Sequence, residues 1–407
     1  MTDRIVIVGA GQAGFALAAR LRALGDRRPV TMIGAEAAPP YQRPPLSKKY
    51  LLGEMTFDRL LLRPVEWYAE NAIDLRLATF VEAIDRDSRA VLLQDGERVG
   101  YDTLVLATGA APRHLPRDIG GELEGVFVMR DKRDADLLAG EMRAGRQMLV
   151  IGGGYVGLEA AAVARKFGVS VTVVEMADRI LKRVAAHQTA DIMRAVHRSH
   201  GVSIREGTGL EHLAGENGRV VEALLSDGST IKADIVVVGI GVTPNDRLAK
   251  EAGLAVANGI IVDAYGRTSD SAIFAIGDCA EVPFQGRRVR LESVPNAIDH
   301  GEAVAAVIAG SGEPYLPKPW FWSDQYDVKL QIAGLNEGYD VALSRTGART
   351  GSFSVWYFRG EELLAVDAIN DARAYVAAKK MLSSGLNPKR SDVEDPSIDL
   401  KSLADGG

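Results

Sequence analysis

The sequence predicts an α/β protein with two dinucleotide-binding βαβ domains and a smaller C-terminal α+β domain. Three observations predict it. Two G-x-G-x-x-G loops lie about one domain apart: IVIVGAGQAGFALAARLRALG, with Gly9, Gly11 and Gly14, and MLVIGGGYVGLEAAAVARKFG, with Gly152, Gly154 and Gly157. Each follows an apolar β run and opens an Ala-rich helical run, which is the context the dinucleotide fingerprint requires. The same features then follow each loop in the same order, closing in YDTLVLATGA and ADIVVVGIGVTPN. Near residue 320 the texture changes to aromatic, β-prone runs (WFWSDQYDVKLQIAGL, GSFSVWYF, ELLAVDAIN) followed by a helical ARAYVAAKKMLSSG.

In each loop the first glycine allows the tight turn, the second lets the backbone approach a pyrophosphate, and the third lets helix and strand pack closely. The phosphates then face unpaired N–H groups at the positive end of a helix. After the first loop the second strand is VTMIG, and Glu36 follows it, set off by Gly34–Ala35. After the second loop VSVTVVE is the second strand, closed by Glu175. A carboxylate at this place accepts hydrogen bonds from an adenosine ribose and repels a 2′-phosphate. The second site therefore reads as NAD rather than NADP. Arg179, Lys182 and Arg183 soon follow and pull the other way; they also suit a helix surface. Two such loops suggest a protein that binds two dinucleotides and moves electrons between them.

The remaining punctuation sets the domain order. A proline-rich connection, PPYQRPPLSKKYLLG, follows the first βαβ unit. Residues 110–116 read as a crossing linker. After the second domain the chain returns with GIIVDAYGRTSDSAIFAIGDCAEV, whose short strand FAIGD ends in Gly277–Asp278. The polar end, SDVEDPSIDLKSLADGG, reads as a loose tail or a docking arm.

Composition narrows the function. At 407 residues the chain needs two or three domains. Its apolar share (47%) and charged share (25%) are those of a soluble globular protein. The net charge of −6 gives no support to nucleic-acid binding. No apolar run approaches the ~20 residues that span a bilayer. The chain enters its first strand at Ile5, so no leader is expected and the cytoplasm is the expected setting. The single cysteine, Cys279, excludes an internal disulfide, a C-x-x-C pair and any cysteine-only metal site. It reads as a small buried apolar group. The six histidines form no metal-ligand pattern.

Several segments together carry a resemblance: the first loop, RPPLSK, ATGA, the second loop with its GLE, GIGVTPN, FAIGDCA, ESVPNA and PWFWSDQ. Over essentially its whole length the chain resembles the NADH-dependent ferredoxin reductases of cytochrome P450 and Rieske dioxygenase systems. It is closest to their putidaredoxin reductase-like branch, with two Rossmann-like domains in a glutathione reductase-like fold. The glycine loops alone fit many families; RPPLSK together with PWFWSDQ is specific. The resemblance implies a discontinuous FAD domain (1–110 and 242–319), an NAD domain (111–241) and a C-terminal α+β domain (320–407) covering one face of the flavin.

It also implies residue roles. FAD would be held by Gly9, Gly11, Gly14, Glu36, Ala107, Thr108, Gly109, Gly277 and Asp278, the last on the ribityl chain. Arg43 and Lys48 of RPPLSK would lie beside the pyrophosphate and the ring, the Val294–Pro295 backbone at the pyrimidine edge, and Trp322 close to the flavin. NADH would be held by Gly152, Gly154, Tyr155, Val156, Gly157, Glu159, Glu175, Arg183 and Gly241. The catalytic candidates are Lys48, Glu159 and Trp322. A cation near flavin N5 stabilises the charge that hydride transfer delivers, and a Lys48–Glu159 ion pair across the domain boundary would hold that cation. With no dithiol, electrons leave the flavin directly or through an aromatic such as Trp322.

The implied activity is FAD-dependent NADH:ferredoxin oxidoreduction (EC 1.18.1.-). Two electrons enter and leave singly to a small acidic [2Fe–2S] ferredoxin that feeds a monooxygenase or dioxygenase. Arg287, Arg288 and Arg290, just before ESVPN, are candidates for its docking surface. A monomer or weak dimer is expected. Two alternatives remain: a rubredoxin reductase, which shares most of these motifs, and a redox-sensing flavoprotein related to the apoptosis-inducing factors. PWFWSDQ favours ferredoxin over rubredoxin. An NADH oxidase or peroxidase would place a redox cysteine where RPPLSK has none.

Overall fold

The structure, a computed structural model, describes residues 3–405. The chain falls into two compact units. One takes the chain up to Gln42, Phe57–Ala111 and Val242–Pro319; the other takes Arg43–Thr56, Pro112–Gly241 and the chain from Trp320 onward.

The first unit is built on a five-stranded parallel sheet. Its strands run in the order Ile273–Ala275, Thr103–Leu106, Ile5–Val8, Val30–Ile33, Ile73–Arg76. The central run IVIV is buried at every position, as a parallel strand covered on both faces must be. The helix Gln12–Ala23 crosses over from it, and the helix Val294–Ile308, capped by the Ser293 hydroxyl, packs alongside. The two helices touch at Gly301, where a β-carbon would come within 2.7 Å of the Ala13 carbonyl. A three-stranded antiparallel meander, Val81–Asp85, Ala90–Leu93 and Arg98–Gly100, precedes the strand Thr103–Leu106.

The second unit repeats this plan. Its parallel sheet runs Ser203–Glu206, Ser170–Glu175, Gln147–Ile151, Ile235–Val238, Val126–Phe127. Again a three-stranded meander, Leu210–Glu216, Arg219–Leu225 and Thr230–Lys232, precedes the apolar, glycine-ended strand. The difference lies in the outer strand, which comes from before the loop here and from far after it in the first unit. The same unit carries an antiparallel sheet of five strands, in the order Trp320–Gln325, Val328–Gly334, Glu362–Ile369, Phe353–Arg359, Val341–Thr346. The helix Ala372–Ser384 covers it; Asp371 caps its start and Gly385 (φ +70°) closes its end.

The chain end departs from the expectation of a loose tail. Short helices Arg390–Glu394 and Leu400–Ala404 bury Val393, Leu400 and Ala404 against the helix and sheet. Arg345, itself buried, donates to the carbonyls of Asp392, Val393, Asp395, Pro396 and Ile398 at 2.5–3.4 Å. One guanidinium thus satisfies backbone acceptors that no helix ladder reaches. Arg345→Ala removes this shared donor, leaving the Asp395 carbonyl only the Ile398 N–H at 3.2 Å, and should cost roughly 3 kcal/mol locally. The expected result is faster amide exchange and protease cleavage over 390–404, with the sheet amides unchanged. Unchanged exchange there would show that apolar packing alone holds the segment.

Candidate active site

The two glycine loops have the same internal geometry, and it explains the motifs around them. Gly9 (φ +121°) presses on the end of the next strand: a β-carbon there would lie 2.1 Å from the Ala107 carbonyl. Gly152 (φ +100°) does the same against the Gly239 carbonyl, at 2.5 Å. The glycine-ended strands are therefore steric partners of the loops. Gly14 and Gly157 are filled by the loops themselves, with a β-carbon only 2.2 and 2.3 Å from the Gly9 and Gly152 carbonyls. The middle glycines are open. Nothing lies within 4 Å of a β-carbon on Gly11, and nothing closer than 3.9 Å on Gly154. Neither following helix has a side-chain cap or an acidic residue in its first turn. Each loop thus presents open space before free N–H groups at a helix N-terminus, which fits the diphosphate of a dinucleotide.

In the first unit, Glu36 accepts a hydrogen bond from the Tyr41 hydroxyl at 2.5 Å. Thr108 and Gly109 are tied to Asn245 by three bonds: Thr108 Oγ1 donates to the Asn245 carbonyl (2.6 Å), Asn245 Nδ2 to the Thr108 carbonyl (2.8 Å), and Asn245 N–H to the Gly109 carbonyl (2.9 Å). Gly277 lets the turn carrying Asp278 lie against Ala13, where a β-carbon would meet the Ala13 methyl at 2.9 Å. The FAD candidates Asp278 and Gly11 are thereby brought to one end of the sheet, and Val294–Pro295 open the helix beside them. Cys279 is fully buried, and its thiol donates to the Leu106 and Ile276 carbonyls.

Of the three arginines expected at a docking surface, Arg287 and Arg288 are exposed on the strand Arg287–Val289, whereas Arg290 is turned in. The Arg290 side chain is 7% exposed, pairs with Glu292 at 2.5 Å and donates to the Asp278 carbonyl at 3.1 Å. Arg288 donates to the carbonyls of Val262 and Glu281. Both are engaged in supporting backbone, because carbonyls at strand ends need donors. Arg290 thus braces the Asp278 turn and is no part of a free basic patch.

In the second unit, Glu175 ends its strand with both carboxylate oxygens accepting backbone N–H groups, from Gly153 and Ala177, each at 2.8 Å. Its charge is fixed beside the loop. The Arg183 guanidinium passes over Gly241, 3.4 Å from where a β-carbon would sit. Arg43 donates to the Arg130 carbonyl at 3.0 Å. Tyr155 packs on Phe321 with ring centroids 5.0 Å apart, and Val156 beside it is exposed.

Glu159 is the centre of a buried polar cluster in this unit. It is 5% exposed. Its Oε2 accepts from Lys48 Nζ at 2.7 Å and Ser47 Oγ at 2.8 Å; its Oε1 accepts from Ser323 Oγ at 2.6 Å. Lys48 and Glu159 fall in the same compact unit. Trp322 stands apart from this cluster. Strand alternation turns Ser323 and Gln325 inward and Trp322 to the other face, near Trp320 at 5.6 Å. Ser47, Ser323, Gln325 and His197 are the residues that sequence reasoning missed. The alternation within WFWSDQ was the available signal: Ser323 and Gln325 share a face that Trp322 does not.

The comparisons with known proteins meet this geometry. Residues 3–301 match the model of the pyridine nucleotide-disulphide oxidoreductases. The chain belongs to that family. Residues 320–404 match a second model, the reductase C-terminal domain. Among similar proteins, rhodocoxin reductase of Rhodococcus erythropolis is 43% identical, over 98% of this chain and 93% of its own. Putidaredoxin reductase of Pseudomonas putida is 40% identical, over 98% and 96%. A crystal structure of the covalent putidaredoxin reductase–putidaredoxin complex superposes with a TM-score of 0.96 at 39% identity, covering 99% of this chain and 98% of that one. In this member of the family a disulphide within the chain is ruled out by the single cysteine, so the site must work without a thiol pair of its own. No helix of the described residues is long and apolar enough to cross a membrane.

Proposed function

We propose that the protein is an FAD-dependent NADH:ferredoxin reductase that supplies a monooxygenase or dioxygenase. The observation that carries this reading is the pair of open glycine cradles together with a half-buried Lys48–Glu159 pair, in a chain with no dithiol. Bound FAD supplies the exchange of a two-electron hydride for single electrons. The chain's own residues do the rest. Gly11 and the helix after it receive the FAD diphosphate, with Asp278 braced by Arg290 to take the ribityl chain. Gly154 and its helix receive the NADH diphosphate. Glu175, its charge held by two backbone N–H groups, accepts from the adenosine ribose and repels a 2′-phosphate. Lys48 presents a fixed cation where negative charge develops, and Glu159 keeps it in place. Arg43 serves the FAD pyrophosphate, and Trp322 lies on the electron's way out.

The partner is a small acidic [2Fe–2S] ferredoxin, met by a monomer or weak dimer in the cytoplasm. The relatives' names and the complex with putidaredoxin support this choice. Mixing the yellow protein anaerobically with NADH, and separately with NADPH, tests the reading by stopped flow. The expected result is fast bleaching of the flavin with NADH and at least tenfold slower bleaching with NADPH. Adding an oxidised [2Fe–2S] ferredoxin should then restore the flavin colour faster than a rubredoxin does. A protein without flavin, or one that neither nucleotide bleaches, would overturn the proposal.

A further inference from the structure

Glu159 is one end of a chain of hydrogen bonds that leads away from Lys48. Ser323 Oγ lies 2.6 Å from Glu159 Oε1, Gln325 Nε2 lies 3.0 Å from Ser323 Oγ, and His197 Nε2 lies 2.7 Å from Gln325 Oε1. The Tyr326 hydroxyl lies 3.4 Å from His197 Nδ1. His197 and Ser323 are 0% exposed and Gln325 is 1% exposed. His197 comes from the helix His187–Ser199, Ser323 and Gln325 from the strand Trp320–Gln325, and Glu159 from the helix Tyr155–Lys166.

Each link in this chain leaves a single choice. An ionised carboxylate only accepts, so Ser323 spends its one proton on Glu159. The Ser323 oxygen must then accept from Gln325, which turns the amide nitrogen to Ser323 and the amide oxygen to His197. His197 must carry its proton on Nε2. Its Nδ1 is left bare, and Tyr326 donates to it. The charge on Glu159 therefore dictates a tautomer three hydrogen bonds away. Burial pulls the His197 imidazole below its ordinary range, which keeps it neutral. The groups facing it are Gln325, Tyr326 (ring centroids 5.2 Å apart) and His200, which stacks on Tyr326 at 3.7 Å; Arg165 lies near Tyr326.

We propose that His197 is a positioning residue for the Lys48–Glu159 pair. As the Nε2–H tautomer it holds Gln325, and through Gln325 it holds Ser323 as a donor to Glu159. Both Glu159 oxygens are then committed, one to Ser323 and the other to Ser47 and Lys48, so Lys48 is kept at one place. Fully satisfied buried networks of this kind fix a single arrangement. This proposal rests on the reading of Lys48 as the cation that serves the flavin.

The test uses the full-length, FAD-loaded protein labelled with ¹⁵N at histidine. Long-range ¹H–¹⁵N spectra should show His197 protonated on Nε2 alone. Glu159→Gln supplies an amide that can donate to Ser323, so the direction of the chain is released and an Nδ1–H population of His197 should appear. Ser323→Ala cuts the chain between Glu159 and Gln325 and should produce the same change, which serves if the first variant folds poorly. His197→Phe should slow flavin reduction at saturating NADH about fivefold, the effect of one lost hydrogen bond, with NADH affinity unchanged. His197→Gln, whose amide can donate to Gln325, should recover most of the rate. His197 protonated on Nδ1 in the unaltered protein, a tautomer that neither variant moves, or an undiminished rate in His197→Phe would each overturn the proposal. A protein whose flavin NADH never reduces would instead overturn the functional reading, and the tautomer spectra would still judge the chain.

Discussion

Glu159→Leu is expected to slow NADH-driven flavin reduction about 100-fold and to destabilise the second unit by roughly 3 kcal/mol. The carboxylate accepts from Lys48, Ser47 and Ser323, and the Lys48 side chain is only 17% exposed. Removing the acceptor leaves an ammonium in a half-dry place with the Pro44 carbonyl, 3.4 Å away, as its remaining acceptor. The lysine should then swing toward water, and the site loses its fixed cation. The double variant Lys48→Met, Glu159→Leu separates the two effects. It removes both charges together, so most of the stability should return while the rate stays low. Urea unfolding and stopped-flow reduction of the three proteins give the answer. A Glu159→Leu protein reduced within a few-fold of the unaltered rate would show that the pair has no part in hydride transfer.

Asp367→Asn is expected to stabilise the protein at neutral pH and to leave it unchanged near pH 4. Asp367 is completely buried on the strand Glu362–Ile369. Its Oδ2 accepts from Tyr357 OH and from Thr189 Oγ1 (2.7 Å), while Oδ1 has no hydrogen-bond partner among the described residues. Burial pushes its carboxyl up to about 6, against the two hydrogen bonds that pull it down. The folded state therefore holds the proton more tightly than the unfolded chain does. Stability from this group is complete below about pH 4, falls as pH rises through about 6, and is lost above that. At pH 7 and above the penalty is about 3 kcal/mol for a shift of about two pKa units. Asparagine cannot ionise and keeps an oxygen for Tyr357 and Thr189. Denaturation of the two proteins from pH 4 to 8 should show a difference that opens between pH 4 and 6 and then stays constant. A difference that does not vary with pH would mean that Asp367 does not titrate in this range.

This buried carboxyl also explains how one unit holds together. The Tyr357 hydroxyl accepts from the Ala186 N–H at 2.9 Å, and Gln188 Nε2 donates to the Ala342 carbonyl at 2.9 Å. With Thr189 and His197, one helix and the Ala186 N-cap before it therefore reach the antiparallel sheet at four points. Nothing local in the sequence announces these contacts, since Asp367 and Thr189 are 178 residues apart.

The parts that were legible are those written in neighbouring residues. Gly14 and Gly157 are required by clashes with the Gly9 and Gly152 carbonyls a few residues back, so there motif and cause lie close together; Gly9 and Gly152 press on Ala107 and Gly239, which are neighbours in the sheet but distant in the chain. The duplicated plan was legible because each apolar strand, loop and acid-tipped strand repeats in order. The parts that were not legible depend on distant partners. Arg290 reads as a surface cation in QGRRVRLES, yet the Asp278 carbonyl and Glu292 engage it. The polar chain end reads as loose, yet Arg345 gathers its carbonyls.

The sequence by itself determined two nucleotide cradles, an acidic residue after each second strand, and electron chemistry without a thiol pair. These follow from steric rules over a few residues and from a cysteine count. The resemblance already pointed to the Lys48–Glu159 pair; only the tertiary structure decided what else surrounds Glu159. Segments far apart in the chain bring Ser47, Ser323 and, through Gln325, His197 to the carboxylate that Lys48 pairs with. Hydrogen-bond direction is set by which donors and acceptors end up within 3 Å, and that depends on packing rather than on any spacing the sequence displays.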